Sequence, residues 1–362
     1  MRGIFYSPFV KANATAPSGA SQMASLLRRA FDIAGIDIAA PDLPSTYDGK
    51  GDPRRQAELR LQSGDAAAKL LALIAAGTIP KPDFWFSYHV YYKSPDWIGP
   101  EVSKRLSIPY VIAEGSHAPK RQSGPWALAH DATTVALGSA ALLLAMTQFD
   151  RVCLEWIDPA RVRDFRPFID VTAFKDIQRV TNPEVTRLLA VGMMRNDRKR
   201  DSYRLLAQAL NLLDDLRCEL TIAGDGKFRN EIEGYFSGQR GVSFPGAISR
   251  DQLPVLMSRS DIFTWPGVGE AYGLAYLEAQ AAGLPVVALR ERGVVDVTVD
   301  GETALLSDAG DASGLAQSIR RLATEPRLRS KMSACARAFV CHERSLEAAA
   351  ERLHLLLMEI LA

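Results

Sequence analysis

The sequence predicts an α/β protein with two Rossmann-like domains that face each other across a cleft. Strand signals alternate with helix signals along the chain, and strands separated by helices imply parallel βαβ units. The pattern restarts near residue 187, and residues 285–289 form a uniformly apolar strand of the kind buried in parallel sheets. A chain of 362 residues also exceeds the size at which one hydrophobic core stops growing, which favours two domains.

The alternating elements fall into two series. In the first series, strands are predicted over residues 4–6, 36–39, 84–88 and 110–113, with helices over 21–34 and 54–76. In the second series, strands are predicted over 187–191, 219–223, 242–244, 262–264 and 285–289, with helices over 202–213, 251–257 and 273–282.

A linker is predicted between the two series, because residues 164–183 contain two prolines and no clear period. We therefore predict an N-terminal domain over residues 1–170 and a C-terminal domain over residues 171–344. The strongly apolar tail, residues 345–362, is predicted to be a helix that packs back on the first domain.

Composition and charge exclude several classes of protein. An apolar fraction of 47% with 23% charged residues is that of an ordinary soluble globular protein, and a net charge of +1 argues against a nucleic-acid binder. The four cysteines show neither disulfide nor zinc spacing, so we expect reduced thiols in a cytoplasmic protein. The apolar run at residues 140–146 is too short to span a bilayer. Peripheral contact with a membrane stays an open alternative. The run at residues 140–146 would make that contact only if it were exposed.

The most informative stretch is residues 264–289, TWPGVGEAYGLAYLEAQAAGLPVVAL. It predicts a buried strand, a loop with Glu270, a helix with Glu278 and a second buried strand. Loops that follow parallel strands bind ligands in open α/β sheets, and the helix start at Tyr272, Gly273 and Leu274 offers unpaired N–H groups for phosphate or hydroxyl oxygens. The alternative interpretation is that Glu270 is a surface glutamate near a helix cap and that Glu278 is a solvated glutamate on the helix. The same spacing occurs without a site at Glu343 and Glu351.

A second cluster gathers basic residues after the strand that ends at Gly192. Arg195 and Lys199 are its candidates for binding a diphosphate, since Arg offers a bidentate fork and Lys a point charge. The neighbouring Arg198 and Arg200 leave open which side chain holds the phosphate. A solvated basic loop is the alternative.

Glycines and histidines add weaker candidates. Gly224 and Gly226 flank an aspartate after a strand, where they approach a nucleotide or merely form a turn. Gly19 opens the first helix and is predicted to bring amides to a phosphate. His117 follows the strand at 110–113 in a polar loop, whereas His89 is a weaker candidate on the acceptor side, with packing or stacking as its more common role.

The chain resembles the GT-B retaining glycosyltransferases of the glycosyltransferase family 4 type. Residues 270–286 are similar to that family's E-x-[FY]-G-x-x-x-x-E-A-x-A-x-G-x-P-V, which a proline precedes, and residues 292–306 to its GG-x-x-E-x-V-x-D-G-x-T-G-x-L, with Arg292 and Ala304 departing from the glycines. The resemblance implies that Glu270 touches the donor sugar and Glu278 the ribose hydroxyls. It also implies that Arg195 and Lys199 hold the diphosphate.

The resemblance further implies that Gly19, Gly224 and Gly226 approach the donor and that His117 touches its sugar. The expected function is transfer, with retention, from a nucleoside diphosphate sugar to a hydroxyl of a glycan, lipid or small-molecule acceptor, as in polysaccharide biosynthesis. The donor is a substrate, so no cofactor is expected. No metal is expected either, because no D-x-D motif occurs. Two alternatives stay open: a nucleotide-sugar epimerase of the same fold and a non-catalytic nucleotide-sugar-binding protein.

Overall fold

The computed structural model describes residues 1–9, 19–180, 182, 184–195 and 198–361. The chain forms two compact units, one of Met1–Arg166 with Leu346–Ala362 and one of Pro167–Ser345. Each unit contains a six-stranded sheet in which every strand pairing is parallel. The predicted α/β class with two parallel sheets is therefore confirmed.

Within its described residues, the first unit contains six strands and six α-helices. Its strands are β1 (Arg2–Tyr6), β2 (Asp37–Ala39), β3 (Phe84–Val90), β4 (Tyr110–Gly115), β5 (Leu142–Ala145) and β6 (Val162–Asp164). Its helices are α1 (Gly19–Ile33), α2 (Pro53–Ala75), α3 (Gly99–Leu106), α4 (Ala127–Ser139), α5 (Gln148–Glu155) and, at the end of the chain, α13 (Leu346–Leu361).

Strands β3, β4 and β5 form the buried middle of the first sheet, whose order is β2-β1-β3-β4-β5-β6. All four residues of β5 are buried, because the strand has neighbours on both sides and packs under helices. The apolar run near Leu142 is therefore core strand rather than exposed surface, and it offers nothing to a membrane.

Local sequence signals begin two of the helices. Asp52 accepts a hydrogen bond from the backbone N–H of Arg54, and Pro53 occupies the first turn of α2, where a missing N–H costs nothing. Thr147 and Asp150 form a reciprocal capping box at the start of α5. These caps fix where the chain leaves the carboxyl end of one strand and turns into the next helix.

Helix α13 returns to the first unit and packs against α1, as the sequence predicted. Its buried face comprises six residues at helical spacing, namely Leu346, Ala349, Ala350, Leu353, Leu356 and Leu357. The guanidinium of Arg352 also donates a hydrogen bond to the carbonyl of Asp164 at the end of β6. The last helix thus covers part of the core that the first residues of the chain build.

The second unit contains six strands and seven helices within its described residues. Its strands are β7 (Thr186–Val191), β8 (Cys218–Ala223), β9 (Val242–Gly246), β10 (Ile262–Thr264), β11 (Val286–Leu289) and β12 (Ala304–Ser307). Its helices are α6 (Lys199–Asn211), α7 (Arg229–Tyr235), α8 (Leu253–Ser258), α9 (Leu274–Ala281), α10 (Val294–Val297), α11 (Ala312–Thr324) and α12 (Pro326–Glu343).

The second sheet has the order β12-β11-β10-β7-β8-β9, so the chain builds outward from β7 in both directions. Strands β8 and β9 extend one side, whereas β10, β11 and β12 extend the other. The boundary between β7 and β10 is therefore a topological switch point. Loops diverge there and leave a crevice at the carboxyl edge of the sheet.

Some elements lie where the sequence pattern predicts none. They include strands β5, β6 and β12 and helices α3, α4, α5, α10, α11 and α12. Strands of three or four residues are too short to show a period, and α4 has apolar or small residues on several faces. Their positions depend on the neighbouring strands rather than on local sequence.

No helix among the described residues is both long and apolar enough to cross a bilayer. Within those same residues, His, Cys, Asp and Glu side chains form no group of three that could hold a metal ion.

Replacement of Leu353 by alanine is expected to destabilise the first unit, because this side chain is fully buried on α13. We expect a loss of about 2–5 kcal/mol in the free energy of unfolding. The control is Leu355→Ala on the same helix, whose side chain is 63% exposed and whose loss should cost less than about 0.5 kcal/mol. Urea unfolding of both variants measures the difference. Equal effects would contradict the packing of α13 described above.

Candidate functional site

An ion pair joins two of the predicted site residues in the second unit. The Nζ of Lys199 lies 3.0 Å from Oε2 of Glu270 and donates a hydrogen bond to it. Both side chains are largely buried, with exposed fractions of 22% and 16%. In such a setting the opposite charges interact more strongly than on an open surface. The pair is also a long-range contact, since 71 residues separate its members in the sequence.

The switch point of the second sheet explains why these two residues meet. Lys199 is the first residue of α6, which follows β7, and Glu270 lies in the loop between β10 and α9. Because β7 and β10 are hydrogen-bonded neighbours, their following loops lie side by side at the carboxyl edge. The backbone N–H of Val268 also donates to the hydroxyl of Ser202 on α6, which ties the two loops together.

Aromatic side chains form the floor beneath the lysine. The ring of Trp265 lies 6.0 Å from the Lys199 Nζ, within the range of a cation–π contact. The ring of Tyr203 packs edge-on against Trp265 at 4.8 Å, and its hydroxyl donates a hydrogen bond to the carbonyl of Gly192 at the end of β7. This packing fixes the base of α6 against the ends of β7 and β10.

Gly224 and Gly226 allow the ends of β7 and β8 to approach closely. A Cβ on Gly224 would lie 1.9 Å from the carbonyl oxygen of Gly192, and a Cβ on Gly226 would lie 2.4 Å from that of Met194. Both glycines also have positive φ, at 150° and 156°. The segment 224–226, which the sequence predicts to approach a nucleotide or to form a turn, thus makes a backbone-to-backbone contact with the end of β7. This contact lies at the same edge of the sheet as Lys199.

The start of α9 carries the remaining predicted donor-binding residues of this unit. Gly273 is the N-cap, in the left-handed region at φ 51°, and Leu274 begins the helix. Tyr272 is buried before the cap, and Glu278 is half-buried in the second turn of α9. The first N–H groups of a helix have no partner within it, so this end of α9 suits anions and hydroxyl oxygens.

Two basic residues of the cluster take different positions from Lys199. Arg195 is exposed and makes no side-chain hydrogen bond or ion pair with any other described residue. The aliphatic stem of Arg198 lies against Gly269, where an added Cβ would come within 2.3 Å of its Cδ. Of the three basic residues, the structure therefore brings Lys199 to Glu270.

Gly19 and His117 belong to the first unit and lie on a different sheet from the pair. Gly19 is the first residue of α1, which follows β1. His117 follows β4, and its ring lies 5.3 Å from that of the buried His130. Burial lowers the pKa of His117, and the adjacent His130 acts in the same direction. A neutral His117 therefore presents one ring nitrogen as a donor and the other as an acceptor.

The sequence patterns gave too little weight to His89 and none to its pairing with Glu114. The Nδ1 of His89 lies 2.9 Å from Oε2 of Glu114, at the ends of β3 and β4. Both residues have left-handed backbones, at φ 65° and 57°, which non-glycine residues adopt only at a cost. Strained residues cluster at functional sites. No local sequence signal marks such strain in a histidine or a glutamate.

The arrangement in the second unit can bind a compact anion. The cation of Lys199, the glycine-flanked ends of β7 and β8 and the start of α9 all lie at the carboxyl edge of one sheet. Lysine and backbone N–H groups are the usual partners of phosphate oxygens. The carboxylate of Glu270 accepts hydrogen bonds from hydroxyl groups, which suits a ligand that carries both phosphate and sugar.

Alanine at position 224 should disrupt this edge, because its Cβ would collide with the Gly192 carbonyl. We expect Gly224→Ala to lower the free energy of unfolding by about 1–3 kcal/mol. The control is Gly234→Ala on α7, where the added methyl meets no atom within 4 Å and should stabilise the helix by about 0.5–1 kcal/mol. Urea unfolding compares the two variants. A neutral Gly224→Ala would show that the close approach does not constrain the edge.

The His89–Glu114 pair should make stability depend on pH. Burial lowers the pKa of His89, but the Glu114 carboxylate, helped by Asp150, outweighs it and raises the pKa above its ordinary value of 6.5. The stabilisation is therefore complete below pH 6.5 and is lost as pH rises through the folded-state pKa.

Urea unfolding between about pH 5.5 and pH 8.5 measures this dependence. We expect His89→Gln to remove the loss of stability at high pH. His354→Gln, at an exposed position on α13, should leave that loss unchanged. A histidine NMR titration should also place the midpoint of His89 above 6.5. A midpoint below that value would contradict the pairing.

A segment of the second unit matches a known protein family. Residues 185–325, which include Lys199, Glu270 and Glu278, match the family described as glycosyl transferases group 1. The sulfoquinovosyl transferase of Arabidopsis thaliana is 26% identical over 257 residues, which are 65% of this chain and 49% of that protein. The D-inositol 3-phosphate glycosyltransferase of Thermobifida fusca is 29% identical over 194 residues, which are 49% of this chain and 45% of that protein. The chain thus spans about half the length of the relatives it matches.

Solved structures share the fold along nearly the whole chain. Sucrose-phosphate synthase from Thermosynechococcus elongatus superposes with a TM-score of 0.72 at 19% identity, covering 99% of this chain and 98% of that chain. The Anabaena HepE protein in complex with UDP gives 0.73 at 14% identity, covering 99% and 100%. At such identities the likeness shows the fold, which is that of the GT-B glycosyltransferases. Residues 185–325 therefore match the glycosyl transferases group 1 family, in a chain that has the GT-B fold.

Proposed function

We propose that this protein is a retaining glycosyltransferase that moves a sugar from a nucleoside diphosphate sugar to an acceptor hydroxyl, without a metal ion. The observation that carries the proposal is the Lys199–Glu270 pair at the switch point of the second sheet. The pair combines a cation, which suits a diphosphate, with a carboxylate, which suits sugar hydroxyls, and both lie in the segment that matches the family. The HepE structures with UDP and UDP-glucose support a donor of this class.

Lys199 acts in this proposal on the leaving group. When the bond between the sugar C1 and the diphosphate oxygen breaks, negative charge grows on that oxygen. A positioned ammonium stabilises this charge more in the transition state than in the bound donor. Arg195 is exposed after β7 and adds a second cation once the diphosphate is bound. These cations fill the role that a metal would otherwise serve.

Glu270 acts on the sugar. The diphosphate competes with its carboxylate for Lys199, which frees the carboxylate oxygens to accept hydrogen bonds from sugar hydroxyls. The acceptor oxygen then bonds to C1 on the face that the diphosphate leaves, and its proton passes to a phosphate oxygen. The roles of Glu278 towards the ribose, of Gly224 and Gly226 towards the nucleotide, and of Gly19 and His117 in the first unit remain predictions.

Thermal-shift screening with UDP, GDP and ADP and with their sugars tests donor binding. We expect one nucleotide to stabilise the wild-type chain. Lys199→Ala should weaken its binding by at least about tenfold, the cost of losing a charge-assisted hydrogen bond. Lys331→Ala is the matched control, since it removes one exposed lysine from α12 of the same unit. The proposal fails if no nucleotide stabilises the protein.

Substitution of Glu270 should separate binding from turnover. In Glu270→Gln, the neutral side chain no longer competes for Lys199, so we expect nucleoside diphosphate binding to be equal or tighter. Sugar transfer should fall by at least about tenfold, because a hydrogen bond to the sugar is weakened. Glu302→Gln, at an exposed position of the same unit, is the control. Release of an epimerised sugar without any acceptor would instead favour an epimerase, and unchanged transfer in Glu270→Gln would disprove the assigned role.

A further inference from the structure

A continuous row of aromatic rings runs along the carboxyl edge of the first sheet. Neighbouring ring centroids are 4.8–5.6 Å apart. We call it the aromatic row, and its members in spatial order are Tyr47, Phe9, His89, Tyr91, Tyr92 and Trp126. His89 lies near the end of β3 and the other members follow β1, β2, β3 and β4, so the parallel sheet gathers them from distant parts of the chain.

Solvent reaches most of the row. Tyr47 is 45% exposed, and Phe9, Tyr91, Tyr92 and Trp126 are half-buried. Partly exposed aromatic rings fixed by neighbours provide flat apolar faces, and they lose little side-chain entropy when a ligand covers them. A pyranose or cyclitol ring, whose axial C–H groups form an apolar face, fits such a surface.

Two cations lie over the Trp126 end of the row. The Arg121 Cζ is 4.7 Å from the Trp126 centroid and 5.2 Å from that of Tyr92, and the Lys93 Nζ is 5.6 Å and 5.9 Å from the same rings. Trp126 is itself fixed, since Gly51 packs against its indole ring. Both positive charges therefore contact the same two aromatic rings.

These cations lack the carboxylate partners that many other basic residues have. Among the described residues, neither Lys93 nor Arg121 forms an ion pair with an acidic side chain, and the Arg121 Nε is buried without a hydrogen-bond partner. By contrast, Arg187, Arg229 and Arg320 each pair with an aspartate or a glutamate. Two cations on the same rings, neither ion-paired with a described carboxylate and one with an unused donor, are an arrangement that an anionic ligand completes.

Carboxylates at the row are bound by groups other than the two cations. Glu114 pairs with His89 in the middle of the row, and both residues are held in strained left-handed conformations. Asp48, whose carbonyl accepts from the Trp126 indole, has a carboxylate that accepts hydrogen bonds from three backbone N–H groups and from the Gln56 amide. Among the described residues, the two cations therefore stay without an ion-pair partner at the row.

We propose that the aromatic row is the acceptor site, and that it binds a hydroxylated ring bearing a carboxylate or phosphate. The sugar or cyclitol ring stacks on Tyr91, Tyr92 or Trp126, and Lys93 and Arg121 hold the anionic group. This proposal rests on the glycosyltransferase function and names the class of acceptor. Such an anion belongs either to a soluble acidic glycan or to the headgroup of a lipid.

Ligand-binding NMR on the full chain, with UDP present, tests the proposal through matched pairs of probes. Methyl β-glucuronide is compared with methyl β-glucoside, and glucose 6-phosphate with glucose. Vesicles of phosphatidylcholine with and without phosphatidylinositol form the third comparison. We expect at least one anionic probe to bind about tenfold more tightly than its neutral partner, as for a charge-assisted hydrogen bond. Selectivity confined to vesicles assigns the site to a lipid headgroup, and selectivity for soluble probes assigns it to a glycan.

The double variant Lys93→Gln/Arg121→Gln should abolish this selectivity without loss of the UDP thermal shift. Its control is Lys69→Gln/Lys120→Gln, which removes the same charge from two exposed lysines of the same unit. No preference for any anionic probe, or a preference that survives in the double variant, would overturn the proposal. So would loss of UDP binding in the double variant, since that would assign the two cations to the donor. Failure of UDP to stabilise the wild-type chain would instead refute the glycosyltransferase function itself.

Discussion

The parallel pairing of β7 with β10 is the constraint on which the candidate site depends. It brings the loops that follow these strands to one edge of the sheet, where Lys199 meets Glu270. Close backbone approach at Gly192 and Gly224 holds β8 against the same edge. Without this order of strands, the cation and the carboxylate would have no reason to meet. The chemistry of the site is therefore a consequence of sheet topology.

Each unit uses the carboxyl edge of its own sheet, but the charges are balanced differently. In the second unit, Lys199 and Glu270 form an ion pair with one another. In the first unit, His89 pairs with Glu114, whereas Lys93 and Arg121 rest on aromatic rings. A paired cation suits a site that must release its ligand after reaction. Cations without carboxylate partners suit recognition of an anion.

The two edges also differ in how the backbone reaches its unusual conformations. In the second unit, glycines such as Gly224 and Gly273 occupy them at little cost. In the first unit, His89 and Glu114 adopt left-handed conformations with full side chains, which costs of order 1–3 kcal/mol each. The ion pair and the surrounding aromatic rings offset that cost. Such strain persists only where the neighbouring structure fixes it.

The sequence by itself determined the α/β class, the two series of strands and the segment with Glu270 and Glu278, because apolar strands and glycine-rich loops are local patterns. It also identified Lys199 among several basic residues, but not which of them meets Glu270. Only the tertiary structure decided that contact, the His89–Glu114 pair and the aromatic row. Each joins residues from different strands, and strand order is not encoded in any local period. Short strands such as β5 likewise acquire their place from their neighbours.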